Sequence, residues 1–97
     1  MKITFDAAAS DDLDRIFTWI KKDNPRAAYE MIARIKARVD RLATPGLARI
    51  GRVGRDEGTY ELVEVPYIIV YEVHEQRGEI VVLSVVHGAQ DREGGEE

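Results

Sequence analysis

The chain contains no cysteine. Disulfides, thiolate nucleophiles and Cys-ligated metal sites are excluded by that absence alone. No uninterrupted apolar run approaches the ~20 residues that a membrane helix needs, and residues 1–6 lack the apolar stretch of a secretion signal. A cytoplasmic protein is the expectation. There is no internal repeat and no low-complexity segment. Proline occurs only three times, at positions 25, 45 and 66, so each one reads as a boundary between elements.

What is present is an ordinary globular composition, with 44% hydrophobic and 33% charged residues among 97. That length holds one modest core. A single domain over residues 1–92 is expected, followed by a flexible acidic tail at 93–97. The formal net charge of −4 is unevenly distributed: side chains contribute −1 over residues 1–33, +6 over 34–55 and −9 over 56–97. An acidic chain of this kind is no general nucleic-acid binder, yet its basic middle segment can meet an acidic partner.

Residues 58–90 contain three β-branched, apolar runs separated by breaks at Val65-Pro66 and at 75–78, the pattern of strands joined as hairpins. Before them, Lys2 to Phe5 alternates as a short strand. Leu13, Ile16, Phe17 and Ile20 then form one helical stripe, with Asp6 or Ser10 as N-cap and the Asp11, Asp12 and Asp14 cluster at the positive helix end. Asn24-Pro25 starts a second helix carrying Ala28, Met31, Ile32, Ile35, Val39 and Leu42, which Thr44-Pro45-Gly46 ends. So short a link forces an antiparallel helical hairpin. Residues 46–58 read as a loop, 68–73 as a central strand, and 80–86 as the last and most buried one. The fold class is α+β: a strand, a helical hairpin, then a three-stranded antiparallel meander.

That order, with Asp12-Leu13 and Ile16, Trp19-Ile20, Asn24-Pro25-Arg26-Ala27-Ala28, Gly58-Thr59, Glu61-Leu62, Tyr67, Ile69-Val70-Tyr71 and Val85-Val86-His87-Gly88-Ala89-Gln90, resembles the RelE/ParE superfamily of type II toxins. The resemblance covers nearly the whole chain. It implies a toxin neutralised by a cognate antitoxin, in hetero-oligomeric complex with it, without cofactor or metal. In the RelE-like branch it implies a ribosome-dependent messenger-RNA endonuclease whose sheet cations neutralise the scissile phosphate. In the ParE-like branch it implies a non-nucleolytic inhibitor of DNA gyrase. Glu61, Glu64, Glu72 and Glu79 stand where a phosphate site wants cations, and carboxylates oppose the charge that develops in RNA cleavage. The His87-Gly88-Ala89-Gln90 ending also resembles the ParE-like side. Where relatives commonly carry Gly-Thr-Arg-Glu-Leu, this chain has Gly58-Thr59-Tyr60-Glu61-Leu62.

The candidate residues follow. A nuclease would use His87, histidine being the side chain suited to acid–base work at neutral pH, with Glu61 or Glu64; the alternative is a structural histidine at a strand end and ordinary exposed strand glutamates. His74, beside a turn, reads as solvated. Tyr60, Tyr67 and Tyr71 suit base stacking or packing. Arg34, Lys36, Arg38 and Arg41 read as a solvated helix face. Arg49, Arg52 and Arg55 recur every three residues in a Gly-rich loop and, with Tyr60, are candidates for partner contact. Phe17 and Trp19 cannot both face the core, and Trp19 joins the candidate partner surface. A third outcome is a non-toxic binding module of the same fold.

Overall fold

Asp6 closes the first strand and opens the first helix. In the computed structural model, which describes residues 1–89, its backbone is extended and its carboxylate accepts the Ala8 N–H at 3.4 Å, which sets β1 at Lys2–Phe5 and α1 at Ala7–Lys21. The helix starts before the Asp11, Asp12 and Asp14 cluster, so those carboxylates do not occupy its first turn as expected from the sequence. Asn24 caps α2 (Pro25–Asp40) by accepting the Ala27 N–H at 3.1 Å, with Pro25 at the first helical position. A 3₁₀ turn, Arg41–Ala43, carries Leu42 into the core.

The sheet has five strands in the order β1-β5-β4-β3-β2. The expected loop at 46–58 contains the additional strand, β2 (Arg52–Val53), paired antiparallel with β3 (Thr59–Glu64). Two residues between glycines leave no periodicity for a sequence reading to catch. β3, β4 (Tyr67–His74) and β5 (Glu79–His87) form the antiparallel meander, while β1 runs parallel to β5. β4 is the central strand, as its apolar run implies, and it rather than β5 is also the most buried: Tyr67, Ile68, Ile69 and Tyr71 are all buried, against Ile80, Val82 and Val85 on β5. Val70 faces Ser84 and Tyr71 faces Val82, so Leu83 is an extra residue that bulges β5.

The two helices cover one sheet face. Ile35, Val39 and Leu42 meet Ile69, Tyr71, Ile80 and Val82 there, each essentially inaccessible to water. By the two-residue alternation of strands, Thr4, Glu72, His74 and Glu79 project from the other, open face. The terminal segment 93–97, like Gln90, lies outside the described residues.

Candidate partner-binding groove

α1 has two faces that matter. Leu13 and Ile16 turn into the core, while Asp12, Arg15, Trp19 and Lys22 line the flank that borders the end of β5. Phe17 packs edge-on against Tyr29 at 4.9 Å, whereas Trp19 is left 70% exposed with the Lys22 ammonium 5.5 Å from its ring centre. The flank and the strand end enclose a groove of about 960 Å³ whose floor includes Tyr67, Val85, Val86 and His87. No strand lies beside this part of β5 among the described residues, because β1 ends at Phe5, opposite Val82. Asp12 occupies the position instead: its carboxylate accepts the Val85 N–H at 2.9 Å and the Arg15 guanidinium at 2.6 Å. A side chain thus satisfies a backbone donor that a sixth strand would otherwise take.

His87 stands at the groove's end. Its Nδ1 accepts the Ala89 N–H at 3.2 Å, so the ring carries no proton on that nitrogen, and Tyr67 lies edge-on to it at 5.7 Å. Burial pushes the Tyr67 hydroxyl's pKa up from the ordinary tyrosine value.

The structure does not bring the nuclease candidates together. Glu64, Tyr67 and His87 form one row across three strands, so Glu64 and His87 are separated by a whole strand, about 10 Å at the backbone. The Glu64 carboxylate is also engaged by α2: Arg34 donates to it at 3.0 Å, and Arg38 Nε approaches it to 3.3 Å as a charge pair without hydrogen-bond geometry. Glu61 projects from the opposite face and is buried, unlike the exposed strand glutamate expected. His74 is half-buried and bonded to Glu72 at 2.8 Å rather than freely solvated. On the open face, Glu79 accepts from the Thr4 hydroxyl at 2.7 Å and pairs with Arg77 at 3.1 Å. These contacts, the hydroxyl first, hold its pKa below the usual carboxylate range. Among the described residues no cluster of His, Asp and Glu could hold a metal, and no helix is long and apolar enough to cross a membrane.

The arginine loop sits at the far edge of the sheet, and its arginines are not loose. Arg52 places Nε and Nη2 at 3.0 and 2.9 Å from Glu61 Oε1, and the Arg55 N–H reaches the other carboxylate oxygen at 3.4 Å. Arg49 pairs with Glu75 at 2.8 Å; this bond first, and a second to Tyr60, raise its pKa. Tyr71, stacked on Tyr60 at 5.6 Å, accepts the Gly51 N–H at 3.1 Å. A Cβ on Gly51 would lie 2.6 Å from the Glu61 carbonyl oxygen, and one on Gly54 would collide with the Thr59 hydroxyl, so the loop is docked directly on β3. Sequence reasoning located Trp19 and His87 but not Asp12, Arg15 and Lys22. Their signal was a second stripe along α1, offset from the core stripe, that runs through the exposed tryptophan to Lys22 at the helix C-cap.

Residues 3–92 match the sequence model of the ParE toxin of the type II toxin-antitoxin system parDE. The chain belongs to the ParE toxin family. The Y4kP protein of Sinorhizobium fredii (strain NBRC 101917 / NGR234) is 41% identical over 80 residues, which cover 80% of this chain and 78% of that one. The fold is similar to that of the chromosomal ParDE system of P. aeruginosa, with a TM-score of 0.79 at 23% identity over 90% of this chain and 95% of that one. It is also similar to the RelBE2 complex of Mycobacterium tuberculosis, with a TM-score of 0.64 at 22% identity over 89% and 95%. The intact E. coli RelBE complex gives 0.62 at 16% identity over 89% and 94%. By its family the chain is thus a ParE-type toxin, and its helical hairpin and sheet are those of the ParE and RelE folds.

Proposed function

We propose that this ParE-family toxin is neutralised by a cognate antitoxin seated in the α1–β5 groove, and that it acts in the cytoplasm by binding DNA gyrase rather than by catalysing a reaction. The observation that carries the antitoxin reading is Trp19, 70% exposed at the rim of a groove that sets an apolar floor of Ile16, Val85 and Val86 beside the charged flank of Asp12, Arg15 and Lys22. A large aromatic side chain left in water beside Tyr67 and Val85 gains most when a partner covers it. The non-catalytic reading is supported by the open sheet face, where Glu61, Glu72 and Glu79 dominate and Arg52, His74 and Arg77 are each engaged by one of them. Among the described residues Lys2 is the one further strand cation on this face, and a single lysine beside Glu79 is no convergent cation cluster for a phosphodiester.

Incubation of the purified chain with gyrase, supercoiled or relaxed plasmid and ATP tests the target. Inhibited supercoiling or accumulated cleaved DNA is expected, and no effect at large molar excess refutes gyrase as the target. One feature favours a second reading, a ribosome-dependent endonuclease: His87 is exposed and uses only Nδ1 in the fold, which leaves Nε2 for chemistry. That reading requires message cleavage in a translation extract that disappears in His87→Ala. Intact message alongside growth arrest rules out the endonuclease and favours gyrase, and harmless expression of folded protein favours a non-toxic binding module.

A further inference from the structure

The edge of the sheet opposite the groove displays a cation and hides its counter-ion. Glu61 has a side chain only 8% exposed, while its partner Arg52 is 56% exposed, so a formally neutral pair presents positive charge outward. The Arg55 N–H on the second carboxylate oxygen and the close approach of Gly51 to β3 fix the loop in that position. Next to Arg52 on the same two-residue strand, Val53 points to the other side of the sheet and is 80% exposed. Ile50, at the entrance to the loop, is 47% exposed. Arg52 and Val53 form the outer strand of the sheet, with β3 on one side and, among the described residues, no strand on the other.

We infer that this β2 edge is the surface that contacts the toxin's protein target, and that it takes a segment presenting a carboxylate to Arg52 and an apolar side chain to Val53. The inference rests on the toxin reading above and adds the place of contact. Three features support it together. Charge complementarity selects an acidic partner, because the pair's only exposed member is the guanidinium. The apolar neighbour selects a protein over a phosphate backbone, which has nothing to bury against valine. The loop is already ordered by Glu61 and Tyr71, so binding loses little further conformational freedom there. The groove is floored by the ends of β5 and β4, and β3 separates it from this edge, so an antitoxin confined to the groove leaves Arg52 and Val53 uncovered.

The test expresses the full chain in bacteria, alone and with the antitoxin encoded beside it, and reads colony counts and co-purification separately. Val53→Asp and Arg52→Gln should each restore colony formation about tenfold or more. Both should still co-purify with the antitoxin, and Tyr29→Asp, a change at a comparably exposed position on α2, should kill as the unaltered chain does. Circular dichroism of each purified variant must show the native spectrum; the conservative Val53→Ser replaces Val53→Asp if it does not. Full killing by both β2 variants overturns the proposal. So does loss of antitoxin capture in either folded variant, because the edge then belongs to the antitoxin. If the unaltered chain captures antitoxin but does not arrest growth, the toxin reading fails, and the proposal falls with it by a separately visible result.

Discussion

The two ends of the sheet solve the same problem in opposite ways. At the β5 end a strand outruns its neighbour, and a single carboxylate, Asp12, satisfies the Val85 N–H while the surrounding aromatic and aliphatic surface stays open. At the β2 end a Gly-rich loop is fastened down by Glu61 and Tyr71, and it leaves exposed a held guanidinium with Val53 and Ile50 beside it. One end is underfilled, with geometry completed by a partner. The other is complete and rigid. A run of arginines in sequence and an open cationic surface in space are therefore separate things: Arg34, Arg38 and Arg49 each reach a glutamate from a later part of the chain, and Arg52 reaches Glu61 across its own hairpin.

Substitutions that strike one end should leave the other intact. The largest effect is expected for Trp19→Ala. Antitoxin affinity should fall by about 2 kcal/mol or more, roughly 30-fold, as for a central aromatic contact. Folding stability should change by less than about 0.5 kcal/mol, because the side chain is mostly in water already. Titration calorimetry and urea unfolding measure the two quantities, and equal losses in both would erase the distinction drawn between an open and a closed end.

Glu61→Ala comes next and acts the other way. Removing the buried carboxylate leaves Arg52 and the Arg55 N–H without it, at a cost of roughly 1–3 kcal/mol in stability. The lower half of that range is expected, since Arg52 is more than half exposed and water can screen it. The urea midpoint should fall while antitoxin binding is unchanged. An unaltered midpoint would mean that the loop is not held by this residue.

The smallest effect concerns Glu79 on the open face. Its folded-state pKa is lowered, chiefly by the Thr4 hydroxyl. The contribution is therefore present above the ordinary carboxylate value and is lost as pH falls through the depressed folded value. In Glu79→Gln the acid limb of the melting-temperature profile should be shallower than in the unaltered chain, with no change near neutrality. Identical acid limbs would show that the Thr4 contact does not couple to folding.

Much of the scaffold was legible because short-range chemistry decides it. Asp6 and Asn24 cap where an oxygen can reach a free N–H, Pro25 starts a helix, and the Leu13/Ile16 and Ile35/Val39 spacings follow the helical repeat. The two-residue strand β2 was not legible because two residues between glycines show no alternation, and the parallel partnership of β1 with β5 was not because it joins residues almost a whole chain apart. The same reason hid the site's electrostatics. Glu61 and Glu64 look alike on an alternating strand, yet one is buried against the arginine loop and the other clasped by α2. Trp19 was visible as a misfit on its own helix, and its groove was not, because Tyr67, Val85 and His87 arrive there from the other end of the chain.

The chain's lone tryptophan also has an optical consequence. Because the indole is already 70% in water, unfolding moves it from one wet environment to another, and its emission should barely register the loss of structure. A partner closing over the groove would dry it and lift the Lys22 ammonium from its face, shifting the emission to the blue. The protein therefore carries a built-in fluorophore that is nearly blind to denaturation and sensitive to occupancy, so a binding curve can be recorded without attaching a dye.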